Sequence, residues 1–174
     1  MQLLKILDDR TFQLDAGIQI DVIYTRFILI SKNHSIKFPT MHYLGNCLHI
    51  LGPVLFLIYI DDLPEFCGVH HKMYLYADDA KLYNTITSKE DQLCLQQVMN
   101  RIKKSCDKWL LKLNISKCNT VSYCMKNMTN TEYFINDGRI DHEIEKLANI
   151  KDLGVIFDSE LSFRDHIQLK NEDR

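Results

Sequence analysis

The sequence has no Cys-x-x-Cys pair, although it holds six cysteines (Cys47, Cys67, Cys94, Cys106, Cys118 and Cys124). That spacing argues against a zinc site. No secretory leader precedes them, so the expectation is reduced thiols in an intracellular protein of nucleus or cytoplasm, with no disulfide-linked partner. Long apolar runs are missing as well. The longest, Ile50 to Ile60, contains Gly52 and Pro53 and is too short to cross a bilayer, so no membrane partner is expected. Charge of one sign is also lacking: 21 basic against 23 acidic residues leave a formal charge of −2, which excludes a broad basic face for nucleic acid. With six glycines, three prolines and no internal repeat, nothing resembles a low-complexity linker. What is there is one domain's length, 174 residues that are 46% hydrophobic, enough for a real core.

Residues 1–17 mix apolar and charged side chains without a clean period; a short helix turning at Gly17 is the expectation. Ile18 to Ile23 is β-branched and apolar apart from Gln19 and Asp21, as suits a buried strand, and it continues through Tyr24-Thr25-Arg26-Phe27 to Ile30. From Ser31 to His49 no period is sustained. Gly52-Pro53 followed by Val54 to Ile60 predicts a helix with proline in its first turn, closed by Asp61-Asp62-Leu63-Pro64; a strand would suit a run this apolar too. Thr87 to Asp91 opens the clearest helix, with Thr87 and Glu90, or Ser88 and Asp91, placed to cap it. Leu95, Val98, Met99, Ile102, Cys106, Trp109 and Leu113 form its apolar stripe, with Asn114 as terminator. Trp109 suits a core anchor better than a base-stacking platform, and Arg101, Lys103, Lys104 and Lys108 suit a solvated face. Lys117 to Met125 predicts a strand. Glu132 to Ile140 predicts a hairpin about Asp137-Gly138, Ala148 to Asp158 a strand whose Gly154 suits a bulge or a close backbone approach, and Phe163 to Lys170 a helix before a frayed end. The order implies an α+β fold, a sheet backed by helices.

The chain is organised around Met73 to Tyr83. Asp78 and Asp79 lie side by side between two short runs rich in aromatic and aliphatic residues, which read as paired strands with the Asp-Asp step as their turn. Adjacent carboxylates repel unless a cation lies between them. Hard oxygen donors of this kind suit Mg²⁺, and two such ions can activate an attacking oxygen and stabilise a leaving one in phosphoryl transfer. Taken alone, an Asp-Asp pair more often caps a helix or solvates a turn.

The neighbourhood changes that balance. Leu51-Gly52-Pro53 to Leu63-Pro64, followed by Tyr76-Ala77-Asp78-Asp79-Ala80-Lys81-Leu82-Tyr83, resembles the palm of a reverse transcriptase of the kind encoded by non-LTR retrotransposons, the jockey-like group among them. The resemblance continues at Trp109 to Cys118, at Asp152-Leu153-Gly154-Val155 and at Leu161 to Ile167, and covers roughly residues 15 to 167 in the family's order. It implies a palm, an antiparallel sheet whose catalytic-type hairpin is backed by helices, and RNA-directed DNA polymerisation on an RNA template and DNA primer with two Mg²⁺ ions. By the same resemblance Asp78 is the main metal ligand and catalytic residue and Asp79 its partner. Tyr76 and Ala77 lie near the primer terminus, Lys117 near the nucleotide phosphates, and Leu153 and Gly154 against the primer backbone. The plain alternatives are an exposed lysine after a turn for Lys117 and a structural role for Leu153 and Gly154.

The departures bear on activity. In Ile20 to Phe27, Arg26 stands where the family has its first metal-binding aspartate. A guanidinium cannot coordinate Mg²⁺ and is always charged, so a salt bridge to Asp78 or Asp79 in the ions' place is expected. Asp21, five strand positions away or about 16 Å, is too far to substitute. Residues 27–50 lack both the family's Ser-Lys-Ala-Phe-Asp-like segment and its Pro-Gln-Gly-like turn. The basic fingers would precede residue 1 and the thumb would follow residue 174. Residues 18–167 thus form a palm that is degenerate over 27–50, between a poorly specified 1–17 and a frayed 168–174. Three readings follow: a catalytically dead palm remnant, a polymerase part completed by another chain, or a retained nucleic-acid or protein interaction module.

Overall fold

In the computed structural model the described residues are 18–28, 54, 58, 60, 61, 63–68, 72–108, 111–124 and 129–172. The expectations for 1–17, for Leu29 and Ile30, for 31–49 and for Trp109 lie outside them.

Strand β1, Gln19–Ile28, is the centre of the sheet. On one side it pairs antiparallel with β3 (Asp79–Ile86), itself paired with β2 (Lys72–Tyr76). On the other it pairs antiparallel with β5 (Asn119–Cys124), and β4 (Lys112–Leu113) takes up its last two residues. The order is β2-β3-β1-β5-β8, where β8 (Glu145–Lys146) joins β5 in parallel. β1 shows no clean polar alternation because both its faces are covered. Ile23 and Phe27 enter one apolar cluster, and Ile20, Val22 and Tyr24 enter the other. Each such side chain contributes about 1.5–3 kcal/mol on burial, so β1 carries a large share of the fold. Asp21 is fully buried within it, accepting hydrogen bonds from Gln19 Nε2 at 2.8 Å and Tyr133 OH at 2.6 Å. It serves the core, as its distance from the hairpin tip requires.

The first cluster is closed by α1, Lys89–Lys108, through Leu95, Val98, Met99, Ile102 and Cys106. Its start is the reciprocal cap expected of Ser88 and Asp91. Asp91 Oδ2 accepts from the backbone N–H groups of Thr87 and Ser88, and the Asp91 N–H donates to Ser88 Oγ. The chain has left the helix by Leu111, earlier than a stripe reaching Leu113 suggests. The Leu111 N–H turns back to the Cys106 carbonyl at 2.8 Å, and Leu113 belongs to β4, where it still joins the same cluster. Asn114 therefore ends no helix; it precedes the 3-10 turn Ile115–Lys117. Val54, Ile58, Ile60 and Asp61 are helical, as Gly52-Pro53 predicts, and a 3-10 turn over Leu63–Cys67 follows.

Two hairpins complete the described structure. β6 (Phe134–Asn136) and β7 (Asp141–Glu143) are joined by a loop that Asp137 organises by accepting from the N–H groups of Arg139 and Ile140. This loop displaces the return strand from Arg139 to Asp141. The stretch expected as one strand is instead β9 (Asn149–Asp152) and β10 (Val155–Asp158), antiparallel about Leu153-Gly154. Both turn residues have positive φ, +46° and +88°, which matches the twist of a two-residue hairpin. This hairpin covers the second cluster with Ile150, Val155 and Phe157. Helix α2, Arg164–Glu172, runs past Lys170, and Asp158 accepts from the Ser162 and Phe163 N–H groups ahead of it. The fold is α+β, mostly antiparallel.

Candidate functional site

The hairpin of β2 and β3 holds the two carboxylates, one residue out of the expected register. Its turn is Ala77-Asp78, and Asp79 is already the first residue of β3, opposite Tyr76. Ala77 has φ +49°, a conformation that costs an L residue roughly 1 kcal/mol and that glycine would adopt freely. Half-exposed Tyr76 stands at the end of β2, so Tyr76, Ala77, Asp78 and Asp79 form one projecting tip. The tip is tied to β1 through the backbone, since the Phe27 N–H donates to the Asp78 carbonyl at 2.8 Å.

Arg26 lies directly across the ladder from Asp79. Its Nε–H donates to Asp79 Oδ1 at 2.5 Å and its Nη2–H to Oδ2 at 3.1 Å, a bidentate fork, while Nε stands 3.9 Å from Asp78 Oδ2. The Asp79 hydrogen bond, followed by its charge, raises the Arg26 pKa above its already high ordinary value. The Arg26 carbonyl accepts from the Asn114 N–H at 2.9 Å, which fixes the residue from the β4 side. Among the described residues, no group of three or more His, Cys, Asp or Glu side chains is arranged to hold a metal ion. The donor set does not fit a two-ion centre, because both carboxylates face a permanent cation and no third carboxylate among the described residues joins them.

The remaining candidates fall into two places. Lys117 ends the exposed 3-10 turn ahead of β5, at the end of the sheet where Asn119 pairs with Tyr24 and where Arg26 stands. Leu153 and Gly154 form the tip of the β9–β10 hairpin, with Leu153 44% exposed. That tip is joined to the first by a contact that the residue pattern does not announce. Lys81 Nζ donates to both carboxylate oxygens of Asp152, at 2.6 and 2.5 Å. Lys81 is two residues after Asp79 and so on the same face of β3. The only hint in the chain is a lysine set inside the apolar run Ala80-Leu82-Tyr83. Nearby, Tyr24 and Tyr123 share a hydrogen bond between hydroxyls at 3.0 Å, and burial pushes both phenols well above their ordinary range.

Residues 29–157 match the family Reverse transcriptase (RNA-dependent DNA polymerase); the match begins immediately after β1. The chain is similar to the probable RNA-directed DNA polymerase from transposon BS of Drosophila melanogaster, 29% identical over 127 residues, covering 68% of this chain and 14% of that protein. It is also similar to the RNA-directed DNA polymerase from mobile element jockey of Drosophila funebris, 31% identical over 125 residues, covering 68% of this chain and 13% of that one. The chain thus spans about a seventh of the length of these curated relatives. No solved structure matches it significantly. The family match takes in the double-carboxylate tip and most of the sheet around it: the chain belongs to the reverse transcriptase family.

Proposed function

We propose that these residues are a palm segment of a non-LTR-type RNA-directed DNA polymerase in which the metal site has been closed by an arginine, so that the chain as it stands does not incorporate nucleotides. The observation that carries this is the bidentate contact of Arg26 with Asp79, from the ladder position facing it. In the family's chemistry two Mg²⁺ ions supply activation of the primer hydroxyl and stabilisation of the leaving phosphate. Asp78 and Asp79 are the carboxylates expected to hold them, and here they balance a guanidinium. Arginine keeps its proton at every accessible pH, so no titration vacates the position. The sheet end that carries Tyr76, Ala77 and Lys117, with the neighbouring Leu153-Gly154 tip, is the face that would meet template and primer. The near-neutral charge implies that such contact is weak and salt-sensitive.

Primer extension on an RNA template with Mg²⁺ or Mn²⁺ tests the proposal. No incorporation above an Asp78→Ala/Asp79→Ala control is expected, and robust extension overturns it. Arg26→Asp alone restores a ligand but not the turn that residues 27–50 lack in sequence, so it is expected to gain metal without gaining extension.

A further inference from the structure

The buried contact between Lys81 and Asp152 has no part in the function proposed above, yet it is the most deeply buried charged pair among the described residues. The two side chains are 4% and 9% exposed, and the Lys81 ammonium also lies 5.9 Å from the centre of the Tyr24 ring. Asp152 is the last residue of β9, immediately before the Leu153-Gly154 tip. Lys81 stands one strand repeat from Asp79. One ion pair therefore links the bases of the two tips.

The hairpin it holds is otherwise attached unevenly. β9 and β10 form a two-stranded sheet of their own, with no ladder to the main one among the described residues. Their open end is fastened to β5 through two backbone bonds, Leu147 N–H to the Thr120 carbonyl at 2.9 Å and Cys124 N–H to the Ser159 carbonyl at 3.1 Å, while Ser159 N–H closes the hairpin itself on the Ala148 carbonyl at 2.9 Å. Toward the tip, Val155 and Ile150 pack without direction on the sheet face, and the Lys81–Asp152 pair is the directional contact among the described residues. Apolar packing tolerates sliding, whereas a buried bidentate ion pair does not. Such a pair contributes little net stability against an apolar replacement of equal volume, so its effect here is on arrangement.

We infer that Lys81 and Asp152 are positioning residues, which set where the Leu153-Gly154 tip stands relative to the Asp78-Asp79 tip. The use of that setting rests on the proposed reading of this face as one that meets a nucleic-acid strand; the geometry does not. The test follows the Gly154 amide and Leu153 methyl resonances, together with amide hydrogen exchange over 149–158, in the full chain. In Lys81→Met/Asp152→Leu the chain stays cooperatively folded, the tip resonances shift and broaden, and exchange over 149–158 quickens at least tenfold while β1 and β5 keep their protection. The swap Lys81→Asp/Asp152→Lys brings both readouts back toward the parent. If the apolar pair leaves the tip resonances and exchange unchanged, packing alone positions the hairpin and the inference is overturned; a folded swap that restores nothing also overturns it. Should the apolar pair not fold, Lys81→Arg and Asp152→Glu keep the charges and change their reach, and tip resonances that do not move in either variant decide against it. Fluorescence anisotropy of a labelled short RNA–DNA duplex at low salt tests the nucleic-acid reading separately. A lack of binding there removes that reading and leaves the exchange result standing.

Discussion

Replacing Arg26 by aspartate reverses the charge in the space between strand and hairpin, and the outcome can be sized from the contacts. The Arg26 side chain is 43% exposed, Asp78 49% and Asp79 35%. A pair this open to water contributes about 0–1 kcal/mol, with bidentate geometry placing it near the top of that range. A third carboxylate adds repulsion. At 4 Å two like charges cost about 1 kcal/mol in water and about 4 kcal/mol near a protein surface, and this exposure favours the lower figure. Without metal, Arg26→Asp is therefore expected to lose about 2–3 kcal/mol, or roughly 5–10 °C in Tm for a domain of this size. With Mn²⁺ at a hundredfold excess over its Kd, the variant regains about 2.7 kcal/mol, while the parent chain shows no comparable gain. Thermal unfolding of both proteins with and without MnCl₂ reads this directly. A parent chain that gains as much from Mn²⁺ as the variant would show that Arg26 excludes nothing. A variant indifferent to metal would show that Arg26 does not stand where an ion fits.

Other consequences follow from the same structure. Asp91, whose pKa is lowered first by its hydrogen bond from the Thr87 hydroxyl and then by the Thr87 and Ser88 N–H groups, adds stability that is fully present above the unfolded carboxylate value of about 4 and is lost as pH falls through the lower folded value. Asp91→Ala should therefore cost about 1 kcal/mol in urea unfolding at pH 7, and that difference should shrink toward zero in strong acid. Leu153→Asn, which suits positive φ and removes an exposed apolar side chain, should raise stability by about 0.5–1 kcal/mol, whereas β-branched Ala77→Val should lower it by at least about 1 kcal/mol. Burial raises the thiol of Cys106 to about 12 and those of Cys67 and Cys118 to about 11, so timed alkylation at pH 8 should label exposed Cys94 well before those three.

Much of this is legible in the chain because local chemistry and tertiary packing agree. Ser88 and Asp91 announce a helix start, and the spacing from Leu95 to Cys106 announces the face it buries. β1 reads as buried because β-branched residues fill both its faces. The family resemblance places Arg26 against Asp78 or Asp79, and the ladder that pairs it with Asp79 sets it there. What is not legible depends on turn geometry and distant partners. The Asp-Asp step reads as the turn, but Ala77 takes the positive φ, and that choice moves Asp79 into the strand. Leu153-Gly154 reads as a bulge or a close approach within one strand because leucine is a poor signal for a two-residue hairpin, whose positive φ usually draws asparagine or glycine. The α1 stripe overruns the true helix end because Leu113 packs into the same cluster from β4. The Lys81–Asp152 contact joins residues far apart in sequence, and no local period can reveal it.

Under the proposed function a guanidinium occupies the place of the family's ions. The most direct test is a crystal of the parent chain soaked in Mn²⁺ and a deoxynucleoside triphosphate, with anomalous difference density examined beside Asp78 and Asp79. No manganese peak is expected there, with the Arg26 fork still on Asp79. Two manganese peaks bridged by those carboxylates, with Arg26 swung away, would contradict the proposal.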